Sequence, residues 1–447
     1  MTGRPAVHQA LAVERDLLRR WPESRLEPSL DRIRAVTDAL GRPQHAVPVV
    51  HVTGTNGKTT TARVVDDLLR ASGLRVGRYT SPHLETMRER IVLDGAPIDE
   101  ERFTAAHASL QPVLEQVEAR HGALSFFEVI TAMAFSAFAT AGLDAVVLEV
   151  GMGGTWDATN VADGRVSVVT PISLDHTEYL GPDEAAIARE KAGIVKPGSL
   201  AVLADQPESA RAVLLERARE VGATVVDARR ETGVLRRVPR DDGQLLDLRT
   251  GEGEHRDLFL PLLGLHQAGN VLTALAAAEG FLAGTGRSLS SSTVRDVLAR
   301  VHSPGRLETV RETPRVWVDA AHNPAGMAAT VAAVRELPSV HHLVVVLAAL
   351  EGKDVDGMLH ALRDTASAVL VTENSSPRRM PAAALAARAT AVLGGDRVLV
   401  EPDLPRALRT ALDLAARADG PGGAVLVTGS VVTAGEAGAL LRSDPGS

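Results

Sequence analysis

The feature that most constrains this chain is a series of short, predominantly apolar runs separated by stretches of helical character. They are Val47–Val52, Ala145–Val150, Arg165–Thr170, Ser199–Ala204, Val316–Ala320, Leu343–Ala348, Ala368–Thr372, Arg397–Val400 and Ala424–Thr428. A strand with one wet face alternates apolar and polar residues. A continuous apolar run needs cover on both faces, which a parallel sheet between two layers of helices supplies. The expected class is therefore α/β. At 447 residues the chain exceeds what one core holds, so two domains are expected. The break "HSPGRLE", His302 to Glu308, precedes a fresh strand–helix series and sets the expected domains at 1–304 and 305–447.

Between the runs lie helix candidates such as Lys58–Ala71, which Gly73 can end. Residues 228–255, rich in Arg, Asp and Gly, read as an exposed hairpin or a long connection. Residues 8–20 read as an amphipathic helix bearing acids, without the apolar core of a signal peptide. Leu258 to Ala278 carries no formal charge, but Pro261, His266, Gln267 and Asn270 would be costly in lipid, so it reads as a loop entering a buried helix. A cytoplasmic location is the expectation, with no membrane partner.

Composition excludes some chemistry. With no cysteine there is no disulfide, thiolate metal site or cysteine nucleophile. With 48 basic and 56 acidic residues the net charge is −8, which argues against a nucleic-acid partner.

The first apolar run enters "HVTGTNGKTTTARVV", His51 to Val65. Strand, glycine-rich turn, Gly-Lys-Thr and helix form the arrangement that grips a polyphosphate. Gly54 and Gly57 let backbone amides converge, the helix N-terminus adds partial positive charge, and Lys58 adds a full one. A hydroxyl of Thr59 or Thr60 can meet Mg2+. The usual pattern has a glycine five places before Gly57, where this chain has Val52, so the match is to the variant Gly-Thr-Asn-Gly-Lys-Thr-Thr. The fold expectation becomes a phosphate-loop-type N-terminal domain with mostly parallel sheet, followed by a smaller Rossmann-like α/β domain.

This variant loop resembles that of the Mur ligases, which form amide bonds with ATP. From "RWPESRLEPSLDRI" at Arg20 to "VLVTGS" at Ser430, the chain is similar to the folylpolyglutamate synthase/dihydrofolate synthase branch. The resemblance implies an ATP-dependent ligase that adds L-glutamate to folates, and to dihydropteroate, through an acyl phosphate. It implies ATP and one or two Mg2+ ions as cofactors, with a monovalent cation as an option, and a monomer acting on small molecules. Two alternatives stand beside it. A muramyl ligase normally carries a UDP-sugar domain before the loop, where this chain has only about fifty residues, short of an ordinary domain. A non-synthetic ATP-dependent switch would need neither a heterocycle wall nor an amino-acid pocket.

Site residues follow by resemblance. Thr55, Asn56, Gly57, Lys58, Thr59 and Thr60 belong to the nucleotide, with Asn270 in "HQAGN" toward adenine, Arg306 toward the transferring phosphate and Asp319 in "VWVDAAHNP" toward the ribose. Glu149 ends an apolar run, where a carboxylate is costly unless paired or metal-bound. The family makes Glu149, His176 in "LDHT" and Ser81 in "TSPHLE" metal ligands. Lys191 in "EKAGI" is read alone as a lysine favourable to a helix end; the resemblance implies that it is carbamylated. Phe127 in "SFFEV" can be plain core or, by resemblance, the face against a pterin ring; it stands out in a chain with Phe 7, Trp 3 and Tyr 2. Pro82, Trp156, Asp157 and Ala158 complete that expected pocket, and His322 and Ser430 are expected where glutamate enters. The family usually has Asn at Arg88 and Arg at Thr155.

Overall fold

The structure is a computed structural model that describes residues 3–22, 25, 27–417 and 422–443. Its first sheet has eight strands: β1 (Val49–Thr53), β2 (Val76–Tyr79), β3 (Ile91–Leu93), β4 (Ala96–Pro97), β5 (Ala145–Glu149), β6 (Gly164–Val169), β7 (Leu200–Leu203) and β8 (Thr224–Asp227). They lie in the order β4-β3-β2-β5-β1-β6-β7-β8, antiparallel only at β2–β3 and β3–β4. A three-stranded antiparallel sheet follows, with β9 (Gly233–Arg240), β10 (Gly243–Thr250) and β11 (Gly253–Leu260). The last sheet contains β12 (Glu308–Glu312), β13 (Arg315–Val318), β14 (His342–Leu347), β15 (Ala366–Val371), β16 (Val398–Val400) and β17 (Gly423–Thr428). Its order is β12-β13-β17-β14-β15-β16, parallel except for edge strand β12.

All nine apolar runs are strands, and each pairs in parallel with a neighbour, as the expected double-sided cover requires. Two of the strands that run-reading misses break the pattern for a physical reason. β2 carries Arg78 inside a buried strand, where it is ion-paired to the fully buried Asp66 of the following layer. β12 is a half-exposed edge with two glutamates and an arginine. Residues 228–255 prove more than a hairpin. Leu246, Leu248, Leu258 and Leu260 of β10 and β11 are buried in the same core as the helix Leu265–Leu282. Register shifts between Leu246 and Leu248 interrupt the alternation that would reveal this face in sequence.

The helix Lys58–Ala71 forms as expected and is followed by Gly73 at φ 89°. Its apolar residues Val64, Val65, Leu68 and Leu69 are all fully buried in that core, which also contains Val50, Val52 and Val147 of the sheet. This packing fixes the helix N-terminus above the end of β1. No helix among the described residues is long and apolar enough to cross a membrane.

Replacing Leu68 with alanine leaves a cavity in this seat. We expect a loss of about 2–5 kcal/mol of unfolding free energy, read from urea denaturation, as for other buried Leu→Ala changes.

Candidate active site

β1 lies between β5 and β6, all three parallel, with Val52 paired to Glu149 and Thr53 to Val169. The three chains therefore leave the sheet side by side, at the kind of crevice where open α/β sheets bind ligands. Gly54–Gly57 leaves β1, Val150–Gly153 leaves β5, and Thr170–His176 leaves β6. Gly57 sits at φ 89°, and a side chain there would collide with the amide of Asn270. Asn270 is buried on the helix Leu265–Leu282 and donates to Gln267 Oε1 at 3.0 Å, so it supports the loop from beneath.

The loop's donors divide into two groups. The amides of Thr55 and Asn56 both point at Pro171 O, at 3.1 and 3.3 Å, and Thr55 Oγ1 donates to Ser173 O. These bonds tie the loop to the β6 exit. The first amides of the helix Lys58–Ala71 have no carbonyl within the helix to bond, which is the anion-binding condition of a helix start. Lys58 Nζ donates to Gly54 O at 3.0 Å and Thr55 O at 3.1 Å. Thr59 Oγ1 donates to Glu149 Oε1 at 2.8 Å, whereas Thr60 Oγ1 is turned to Ser303 Oγ at 2.9 Å. Of the two threonines, Thr59 is thus the one facing the carboxylate.

Burial pushes the Glu149 carboxyl up and the Lys58 ammonium down, and each charge eases the other's shift. The second oxygen of Glu149 accepts only from Ser81 N, at 3.3 Å. Lys191 is buried at the end of its helix and donates to the same carbonyl as Lys58, Gly54 O, at 2.8 Å. Burial first, and the neighbouring Lys58 charge second, push it down to about 7. An amine at that value is substantially unprotonated at neutral pH, which the sequence alone does not show.

A polar network joins the two parallel-sheet regions. Asp175 Oδ1 meets Lys353 Nζ at 2.7 Å, and Asp175 Oδ2 meets His322 Nε2 at 3.4 Å and Asn323 Nδ2 at 3.0 Å. Asn323 also exchanges amide hydrogen bonds with Asn56 at 3.2 and 3.3 Å. Although burial opposes it, the His322 hydrogen bond and the neighbouring Lys353 charge hold the Asp175 carboxyl far below the usual range. His176 has φ 50° and faces Lys353 Nζ at 3.2 Å. Burial, with Lys353 adding to it against Asp175, lowers His176 to about 4 and leaves it neutral. Asp175, Asn323 and Lys353 are the residues sequence reading underused. Their signal was adjacency: Asp175 and Asn323 each stand beside a histidine already singled out.

At the other end, Asp157 is buried and caps Thr159 N at 2.9 Å, while Met152 N donates to its second oxygen at 3.0 Å. Burial raises this carboxyl, and these donors oppose the rise. Phe127 packs its ring against Gly151 and lies 6.1 Å from the Tyr79 ring centroid. Thr155 Oγ1 donates to Glu190 O at 3.0 Å, and Arg88 pairs with Glu100 at 2.9 Å. Asp319 accepts from Leu307 N, Ala321 N and Thr330 Oγ1, each at 2.9 Å, which anchors the linker onto β13. Ser430 Oγ accepts from Thr433 N at 3.0 Å, capping the helix Val431–Ser443.

Every residue assigned to the site from the sequence lines one cavity of about 1030 Å3: Lys58 and its loop, Ser81, Pro82, Phe127, Glu149, Trp156–Ala158, His176, Lys191, Asn270, Arg306, Asp319, His322 and Ser430. Arg88 and Thr155, where the chain departs from the family, do not line it. The sequence reading missed two further walls, Trp21 with Arg25 and Arg32 at one end and Ala228–Val234 at the other.

A phosphate loop and a second parallel sheet facing one cleft agree with the family comparisons. The Mur ligase middle domain matches residues 52–278, and the Mur ligase glutamate ligase domain matches residues 305–431. The class is that of the Mur ligases. A dihydrofolate synthase/folylpolyglutamate synthase of Mycobacterium tuberculosis is 46% identical, across 97% of this chain and 94% of its own. The solved M. tuberculosis folylpolyglutamate synthase complexed with ADP superposes with a TM-score of 0.93 at 44% identity, covering 98% of this chain and 100% of that one. The Escherichia coli FolC complex with DHPP and ADP gives 0.81 at 32% identity, covering 94% of each chain. The chain belongs to the dihydrofolate synthase/folylpolyglutamate synthase family.

His51, in the middle of β1, has its Nε2 2.8 Å from Thr159 Oγ1, and that hydroxyl donates to Asp157 Oδ1. A hydroxyl has one hydrogen, so His51 must be the donor at Nε2, leaving Nδ1 bare and buried. Burial, with Lys196 adding to it, lowers His51 to about 3. We expect long-range 1H–15N spectra to show the Nε2–H tautomer unchanged from pH 8 to pH 4. The unfolded chain then binds a proton that the folded one does not, so this residue's effect is to lower stability as pH falls from about 6.5 toward 3.

Proposed function

We propose that the cavity couples a folate carboxylate to L-glutamate at the expense of ATP. As a family member the chain is an ATP-dependent carboxylate–amine ligase that adds glutamate to folates. The observation that carries the reading is the joint placement of a polyphosphate cradle, a heterocycle-sized aromatic wall and second-domain polar groups around one cleft. Matches to folate ligases over nearly the full chain disfavour a UDP-sugar ligase. The division at residues 304 and 305 is the one we adopt for the domains, and the cytoplasm is the compartment we infer.

In this scheme Lys58 and the amides at the start of its helix hold the β- and γ-phosphates. The substrate carboxylate oxygen attacks the γ-phosphorus and the bond to ADP breaks. Neutralising charge around that phosphorus is the main demand, and Lys58 and Arg306 supply it. The glutamate amine then attacks the acyl carbon, the carbon–oxygen bond to phosphate breaks, and inorganic phosphate leaves. We assign His322 and Ser430 to the amino-acid side, Asp319 and Asn270 to the nucleotide side, and Phe127, Pro82, Trp156, Asp157 and Ala158 to the pterin. Thr55 and Asn56 act on the nucleotide chiefly by fixing the loop.

The residues fit Mg2+. Glu149 is a buried carboxylate with two hydrogen-bond donors among the described residues, and burial raises its carboxyl against the Lys58 and Arg306 charges. Among the described residues no three His, Asp or Glu side chains form a metal-binding group. Glu149, Ser81 and the neutral His176 would hold the ion together with substrate oxygens. When bound, it supplies further neutralisation of the transferring phosphoryl group. Carbamylated Lys191 would add an anion beside Lys58, and its low proton affinity favours addition of CO2.

Three measurements test this. ADP release assayed with dihydropteroate and with tetrahydrofolate, each with and without L-glutamate, is expected to require both a pterin and glutamate. Lys58→Ala is expected to lower kcat by at least ~100-fold, as removal of one phosphate-stabilising charge does; full activity in that variant contradicts the scheme. With 13C-bicarbonate, a carbamate carbonyl resonance is expected in the native chain and its loss in Lys191→Ala.

A further inference from the structure

We propose that a small side slot containing Arg63 is the subsite for one carboxylate of the incoming amino acid, an assignment that rests on the ligase reading above. The slot opens beside the main cavity and is lined by Thr59, Arg63, Thr80, Pro82, Arg306 and Val431, together with Leu84, Glu89 and Pro304. Thr59, Pro82, Arg306 and Val431 also line the main cavity, so the two spaces are continuous. Its volume is about 20 Å3. A single water needs roughly 10–15 Å3, so the slot has room for one small functional group and not for a whole amino acid.

The charges around it define which group. Arg63 projects from the second turn of the Lys58–Ala71 helix. Its Nε is buried without a hydrogen-bond partner, and among the described residues no carboxylate lies within ion-pair distance of it. Its nearest carboxylates are occupied elsewhere. Glu89, which itself lines the slot, has its carboxylate taken up by the amides of Leu84, Glu85 and Thr86, at 3.0, 3.0 and 2.7 Å. Glu149 is held by Thr59 and Ser81, and Asp67 by Arg70. Arg78, a like charge, is paired to Asp66. Burial, with Arg78 adding to it, pushes the Arg63 guanidinium down to about 10, the sign of a cation short of counter-charge. Arg306, the second guanidinium of the slot, donates only to Gly305 O, at 3.4 Å. Two under-neutralised guanidinium groups beside so small a slot suit a carboxylate or a phosphate oxygen pair.

Position favours the amino acid. Of the acyl substrate's proposed wall, Phe127, Trp156, Asp157 and Ala158 line the main cavity and not the slot, and Pro82 borders both. The slot instead borders Thr59, which faces Glu149, and Val431, the residue after Ser430. A dicarboxylic amino acid presenting its amine to the activated carbonyl must place two carboxylates near cations, and Arg63 and Arg306 stand where one can go.

Steady-state kinetics of Arg63→Gln, with L-glutamate, ATP and pterin varied in turn, test the assignment. KM for L-glutamate is expected to rise at least ~10-fold, while the KM values for ATP and pterin stay within about twofold. Inhibition by added inorganic phosphate is expected to be unchanged. Arg63→Lys, which keeps charge and stem, is expected to fall between the two and serves if the glutamine variant does not fold. An unchanged KM for glutamate, or a fall in kcat alone, overturns the proposal. Weakened phosphate inhibition at unchanged glutamate KM assigns the slot to the leaving phosphate instead. If the native chain shows no glutamate-dependent ADP release, the ligase reading itself fails and the assignment falls with it.

Discussion

The whole arrangement depends on unlike charges buried together where three parallel strands end. Lys58 and Glu149 are both withdrawn from water, and each is disfavoured there alone. Neither is a direct ion pair with the other. Lys58 is held by two carbonyls of its loop, and Glu149 by a hydroxyl and an amide. An interior built only for stability would join such charges or replace them with apolar groups. Keeping them apart leaves a gap whose charges a ligand can satisfy, and the ligand we propose for it is a polyphosphate with a cation.

The second parallel sheet completes that gap through Asp175. One carboxylate collects Lys353, His322 and Asn323, and Asn323 reaches back to Asn56 in the phosphate loop. Movement of one region against the other therefore registers directly at the loop. A further brace lies away from the site, where Arg237 of β9 pairs with Glu336 beyond the helix Pro324–Arg335. The three-stranded sheet thus positions the two regions as well as covering the helix Leu265–Leu282.

Much of this was legible in the sequence. Buried parallel strands announce themselves because both faces are apolar, and all nine runs are strands. The phosphate loop is legible because Gly57 can have no side chain and Lys58 must follow it. What was hidden depends on partners distant in sequence. Arg78 in β2 looks foreign to a core until Asp66 is seen beside it. Lys191 looks like an ordinary helix-end lysine until its burial against Gly54 and Lys58 is known. The faces of β10 and β11 were obscured by bulges, and Arg63 resembled any helix arginine until its isolation in a slot appeared.

The central claim is that a carboxylate is activated by phosphoryl transfer before the amine arrives. Folate labelled with 18O in the reacting carboxylate tests it most directly. Mass spectrometry of the released inorganic phosphate should find one 18O per glutamate added, carried over from the acyl phosphate. Phosphate free of the label, with glutamate still incorporated, would contradict the account.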